Sequence, residues 1–262
     1  MDPMTDRALS FDAVAGQYDA ARPGYPPVLF DAVEELSGRP LRGSRVVDIG
    51  AGTGIATRLL RERGADVTAV EPGPGMAAQL RRTLPDTPLV RAFGDALPIA
   101  DASADLVTYA QSWHWTDPAR SVPEALRVLR PGGALALWWN VADLAVPWVA
   151  AQEGRLHLVA GAGAHSSDGR RAGSLLDDLP TVRRELRWTR TVPLDTHLAN
   201  LGSHSLFRVL GDDATEACLA DERVELLKVF PTGLVEEAYV VELSVTIRPS
   251  ASSVVQGPSS RA

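Results

Sequence analysis

Three glycines spaced by single residues close the run Val46-Val47-Asp48-Ile49-Gly50-Ala51-Gly52-Thr53-Gly54. A short apolar strand ending this way lets the backbone turn sharply and come close to a ligand before a helix begins. A dinucleotide fingerprint needs Gly or Ala three residues after Gly52, and Ile55 stands there. Asp48 falls inside the strand end, where a carboxylate repels a pyrophosphate but suits a cation; its plainer reading is an anion near a helix N-terminus. Glu71 follows Gly50 by 21 residues, the usual place for an acid that takes ribose hydroxyls. The ligand implied is a nucleoside with positive charge and no pyrophosphate.

These residues need a scaffold, and the sequence predicts one. Leu29, Val33 and Leu36 mark a helix opened by Pro26 and Pro27 and ended by Gly38 and Pro40. Strands are expected at Arg45–Ile49, Asp66–Glu71, Leu89–Ala92, Asp105–Ala110 and Ala134–Trp139. Helices are expected at Ile55–Arg63, Met76–Thr83 and Ser121–Leu129, the last with Ser121 and Glu124 as a capping box. Strand alternating with helix at this spacing predicts an α/β, doubly wound, mostly parallel sheet. Beyond Asn140 the rhythm changes. Helices are expected at Val146–Val159, Leu198–Leu210 and Asp213–Phe230, and alternating strands around Val182–Val192 and Tyr239–Ile247. Gly161–Gly173 reads as a mobile loop, Phe11–Tyr18 as a short helix and Pro249–Ala262 as a disordered tail.

The order of these pieces resembles the class I S-adenosylmethionine-dependent methyltransferases, in particular the small-molecule, trans-aconitate methyltransferase-like branch. The matching elements are VVDIGAGTG at 46–54, AVEP at 69–72, GDALP at 94–98, SWHW at 112–115, LRPGG at 129–133 and YDAARPGYP at 18–26. The resemblance implies a Rossmann-like sheet of seven strands with S-adenosyl-L-methionine as cofactor. It divides the chain into a cofactor-covering segment (1–25), a cofactor-binding core (26–145), a helical lid that binds the acceptor (146–232), a final strand (233–248) and a tail (249–262).

Carried over by position, Gly50, Ala51, Gly52 and Gly54 approach the methionine and ribose, with Asp48 close behind. Glu71, followed by Pro72, takes the ribose hydroxyls. Met76 packs near the adenine or simply in the core. Asp95 accepts from the adenine amino group, or caps a turn, and Ala96 donates from its backbone. Gln111 lies near the sulfonium. Tyr18 and Arg22 close over the cofactor carboxylate or anchor their segment.

The loop Gln111-Ser112-Trp113-His114-Trp115 follows the fourth strand, where ligands gather in such sheets. Trp113, His114 and Trp115 are therefore the expected acceptor contacts. His114 is the group best placed to remove a proton, against the plainer role of orienting the substrate or bonding locally. A carboxylate acceptor needs no base and instead wants a cation. Arg183, Arg184, Arg187, Arg190, Arg208, His197 and His204 are available in the C-terminal half, most of them expected on a solvated face. Trp138, Trp139, Trp148 and Trp188 suit either an acceptor pocket or the core.

The expected activity is methyl transfer to oxygen, carboxylate or hydroxyl, of a small molecule or short peptide in specialised metabolism. The alternative is an S-adenosylmethionine-binding protein without transfer; a nicotinamide oxidoreductase is disfavoured by Ile55.

Composition narrows the partners. A net charge of −7 argues against a broad nucleic-acid surface. The longest apolar run, Ala134–Trp139, falls far short of the ~20 residues of a membrane span. Met1–Ser10 carries charges and no apolar stretch, so no signal peptide is expected there. Cys218 is the only cysteine, which excludes an internal disulfide and fits the reducing cytoplasm. No Asp, Glu and His cluster suggests a metal. One lysine and two asparagines in 262 residues fit the codon bias of a GC-rich genome.

Overall fold

The computed structural model describes residues 22–160, 179–204, 207 and 210–250. Helix α1 (Pro27–Ser37) begins at a proline, whose missing N–H costs nothing in a first turn. It ends where Gly38 turns left-handed and donates to the Glu34 and Glu35 carbonyls. Strand β1 (Arg45–Ile49), helix α2 (Ile55–Glu62), strand β2 (Asp66–Val70), helix α3 (Pro74–Thr83) and strand β3 (Leu89–Val90) form the first half of the sheet. Strand β4 (Ala104–Ala110), a 3₁₀ turn (Trp113–Trp115), helix α4 (Pro118–Val128) and strand β5 (Leu129–Ala142) follow. Helix α5 (Pro147–Ala160), strand β6 (Thr181–Pro193), helix α6 (Leu194–Gly202), helix α7 (Asp212–Val229) and strand β7 (Leu234–Ile247) complete the described chain.

The seven strands lie in the order β3-β2-β1-β4-β5-β7-β6. β1 to β5 run parallel, while β7 runs antiparallel to both β5 and β6. The strand order reverses between β1 and β4, so the crevice beyond their carboxyl ends is the natural ligand site. Each face of the sheet has its own core. Leu29, Phe30, Val33, Leu60, Trp138 and Val241 fill one, and Ile49, Val107, Tyr109, Trp113, Leu137 and Trp139 the other. α5, α6 and α7 share a third cluster of Leu156, Leu194, Leu198, Leu201 and Leu226.

Two expectations change. The cap of α4 is Asp117, whose side chain accepts the Ala119 N–H, with Pro118 in the first turn. Ser121 is buried inside that helix, and Glu124 instead accepts the Leu97 N–H. Within the span 146–232, β6 is a strand of the main sheet, so that span is only partly helical. The expected short helix at Phe11–Tyr18, the loop at 161–173 and the tail from 251 onward lie outside the described residues. No helix among the described residues is long and apolar enough to cross a membrane.

Candidate active site

The glycine loop fits a ligand through its backbone. Gly50, Gly52 and Gly54 all have positive φ, of 67°, 58° and 96°. A Cβ on Gly50 would lie 2.4 Å from the Ser112 Cβ, so the bare glycine lets the loop after β4 close against the loop after β1. A Cβ on Gly52 would meet nothing within 4 Å. The space above Gly52 is open, and its backbone is bare toward it. The Gly50 and Ala51 N–H groups both donate to the Val70 carbonyl, at 2.8 and 3.0 Å.

Glu71 is buried beside this loop and holds it. Its Oε2 accepts the Gly52 N–H at 2.8 Å and its Oε1 the Gly73 N–H at 2.7 Å. Pro72 follows, its carbonyl accepting from Arg91 at 3.0 Å, and Met76 is buried on α3. Asp48 is fully buried one layer below. Its oxygens accept from the Thr57 hydroxyl at 2.6 Å and the Thr108 hydroxyl at 2.8 Å, tying β1 to α2 and β4. Burial raises its carboxyl to about 6, and the two hydroxyls oppose that only in part.

At the far side of the crevice Asp95 pairs with Arg120 at 2.9 Å. The Ala96 N–H donates to the Phe93 carbonyl at 3.2 Å, so the donor expected to face an adenine is used within the turn. Gln111 has φ +57°, an uncommon backbone state for a residue with a side chain, and its N–H donates to the Trp138 carbonyl at 2.9 Å. Strain of this kind gathers at working sites. Ser112 donates to the Ile49 carbonyl at 2.5 Å and fixes the loop to β1.

The three candidates for acceptor contact separate. Trp113 is 1% exposed and packs edge-on against Tyr109 at 4.7 Å, a core residue beneath the site. His114 and Trp115 are partly exposed, with ring centres 4.5 Å apart. The Trp139 indole N–H donates to His114 Nδ1 at 3.4 Å. An indole only donates, so Nδ1 carries the lone pair and Nε2 the proton of the neutral ring.

Arg22 lies with the C-terminal elements. It donates to the Ser203 carbonyl at 3.3 Å, and its own carbonyl accepts from Arg190. Its charge helps burial to hold His204 near 3, and therefore neutral. Tyr18 and Arg208 lie outside the described residues. His197 is buried between Glu237 (2.7 Å) and Gln152 (3.1 Å), and the half-buried Trp148 packs edge-on against it. Sequence reasoning did not single out Ser112, Thr57, Thr108 or Asn140. Serine, threonine and asparagine carry no signal until the fold gives them a buried partner. Among the described residues no cluster of three or more His, Cys, Asp or Glu is placed to hold a metal ion.

Comparison with known proteins follows this geometry. Residues 47–137 match the family model described as a methyltransferase domain. A protein of Mycobacterium tuberculosis (strain H37Rv), named only as an uncharacterized methyltransferase, is 48% identical over 144 residues, 55% of this chain and 57% of its own. Demethylmenaquinone methyltransferase of Beutenbergia cavernae is 36% identical over 148 residues, 54% of this chain and 59% of its own. Among solved structures, a type II methyltransferase of Anaeromyxobacter dehalogenans has a TM-score of 0.69 at 25% identity, covering 87% of this chain and 99% of that one. The chain spans a little over half the length of the curated relatives it matches. Residues 47–137 are thus similar to a methyltransferase domain, and the sheet around them has the fold of a solved methyltransferase structure.

Proposed function

We propose that the chain transfers a methyl group from S-adenosylmethionine to an oxygen of a small-molecule or short-peptide acceptor, and that the oxygen is a carboxylate. The open space above Gly52, framed by a buried acid and a strained Gln111, suits a nucleoside with a cationic sulfur. Gly50, Ala51, Gly52 and Gly54 would lie along its methionine and ribose. Glu71 and Pro72 would flank the ribose hydroxyls, Met76 and Asp95 the adenine, and Gln111 the sulfur. Asp48 acts from below by holding Thr57 and Thr108. The trans-aconitate methyltransferase-like assignment and the helical lid are part of this reading.

When bound, the cofactor supplies a methyl carbon on a positively charged sulfur. The chain's task is then to bring an oxygen to attack distance along the line of the breaking bond. The observation that carries the choice of carboxylate is the Trp139–His114 hydrogen bond. With Nδ1 accepting, neutral His114 offers an Nε2–H donor rather than a basic Nε2. A donor orients an acceptor that is already anionic; a hydroxyl or amine would need its proton removed. His114 and Trp115 contact the acceptor in this reading, and Trp113 supports them from the core.

Calorimetric titration with S-adenosylmethionine and S-adenosylhomocysteine tests the cofactor, and labelled methyl incorporation into a panel of carboxylates tests the acceptor. Turnover should stay level with pH above the acceptor's own pKa. A rate that follows a His titration would instead make His114 a general base. The His114→Ala variant should lose turnover while keeping its affinity for S-adenosylhomocysteine; full activity would remove His114 from the mechanism.

A further inference from the structure

The chain contains two asparagines in 262 residues, and the fold brings both to one stacked aromatic pair. Asn140 follows Trp138 by two positions on β5, so it lies on the same sheet face, about 7 Å further toward the carboxyl end. Trp138 is the residue whose carbonyl holds the Gln111 N–H. Asn140 Oδ1 accepts the Trp188 indole N–H at 2.9 Å. Because an indole nitrogen only donates, the amide orientation is fixed and Nδ2 is left over. Trp188 stacks on Tyr239 at 5.3 Å and 27°.

The Tyr239 hydroxyl accepts from Asn200 Nδ2 at 3.2 Å. With Nδ2 so placed, Asn200 Oδ1 is left over. Asn200 is 4% exposed. Neither leftover atom is solvated, and neither finds a hydrogen-bond partner among the described residues. Buried polar atoms are rarely left so, and each such atom calls for an occupant.

A secondary amide offers one carbonyl acceptor and one N–H donor. The pair left by Asn140 and Asn200, at the two ends of one aromatic stack, complements both. We propose that this pair recognises an amide group in the acceptor, so that the substrates are N-acyl amino acids or short peptides with a free carboxylate. The inference rests on carboxylate methylation at His114 and adds what the remainder of the acceptor must carry.

The test uses the full chain saturated with S-adenosylhomocysteine. Its tryptophan emission is followed during titration with hippurate, with N-acetylglycine, and with O-benzoylglycolate, in which oxygen replaces the hippurate N–H. Hippurate should bind about tenfold or more tighter than the ester, the scale set by one buried polar atom left unmatched. The Asn140→Asp variant keeps an acceptor for the Trp188 N–H and replaces the spare donor with an ionisable carboxyl oxygen, so its hippurate binding is compared with that of uncharged N-acetylglycine methylamide. It should weaken hippurate binding by about tenfold or more while its thermal midpoint and S-adenosylhomocysteine affinity stay close to the parent's. Asn200→Leu should remove the preference of amide over ester. Equal binding of amide and ester, indifference to Asn140→Asp, or no binding of either N-acylglycine would overturn the proposal and leave the pair holding water. An amide preference without any methyl incorporation would instead count against the transfer reading alone.

Discussion

Burial holds the Asp48 carboxyl near 6, although it accepts two hydroxyl hydrogen bonds. The folded chain therefore keeps this proton to higher pH than the unfolded chain, whose carboxyl titrates near 3.9. Stability from this group is greatest below the unfolded value and is lost as pH rises through the folded one, by about 3 kcal/mol in total. Other carboxylates slope the opposite way. Glu124, for example, is held near 2 by Arg127 and the Leu97 N–H. The measurement is thus the difference in urea midpoint between the parent and Asp48→Asn, followed from pH 4 to 7. That difference should shift in favour of the variant as pH rises, and a constant difference would mean Asp48 is already ionised throughout. Glu71→Gln places an amide against one of two backbone N–H groups. It should weaken S-adenosylhomocysteine binding by roughly 1.5–3 kcal/mol, read by calorimetry. Glu71 was legible from its 21-residue offset from Gly50, because that spacing follows from one strand–helix–strand repeat. Its second task, bonding Gly52 and Gly73, was not, since backbone partners leave no mark in side-chain spacing. Arg22 likewise turns toward Ser203 and Arg190, more than 160 positions away, a choice no local pattern records.

Among the elements, the glycine loop is the least forgiving. Gly50→Ala would add a carbon at 2.4 Å from the Ser112 Cβ in a backbone state that disfavours any side chain. We expect loss of cofactor affinity, with Gly50→Ala/Ser112→Gly recovering part of it; titration of both variants decides this. Asp117→Ala removes the cap of α4 and should cost about 1 kcal/mol in a urea melt, whereas Ser121→Ala should not act through capping. Nearly every element of the first half was readable, most with ends displaced by a residue or two, while β5 extends five residues before and three beyond the expected strand. The α4 start was misplaced because Ser121 and Glu124 satisfy the spacing of a capping box while Asp117-Pro118 supplies the actual one. In the second half β6 and β7 alternate cleanly enough to read as strands. Their pairing, which makes β6 an extension of the main sheet, depends on contacts 41 to 65 positions apart and was not readable. The predicted helix at 198–210 is described as α6 four residues earlier, beginning where Pro193 ends β6.

Across the whole molecule, buried charges join the helical cluster to the sheet. Arg155 grips Glu222 at 2.6 and 2.7 Å, and Gln152 bridges Glu222 to His197. His197 and Arg190 both donate to Glu237 on β7. These hydrogen bonds hold Glu237 ionised against the opposing effect of burial. Glu237→Gln would leave Arg190 and His197 short of a charge that is 1% exposed, at a cost on the order of 3 kcal/mol. Tryptophan fluorescence and far-ultraviolet dichroism should then melt together if α5 to α7 and the sheet remain one unit. Separate transitions in the parent protein would show that the network does not couple them.

The strand order also fixes where this sheet ends. β3, at one border, pairs through only two residues, too short to template another chain. β6, at the other, is 13 residues long and bonds β7 on one side. Its sequence is studded with Arg183, Arg184, Glu185, Arg187 and Arg190. Charges on a border strand discourage the addition of a foreign strand. The arginines that read as acceptor candidates thus also keep the sheet from growing: replacing Arg183 and Arg187 with threonine, a good strand former, should make the protein self-associate as concentration rises, which light scattering would detect.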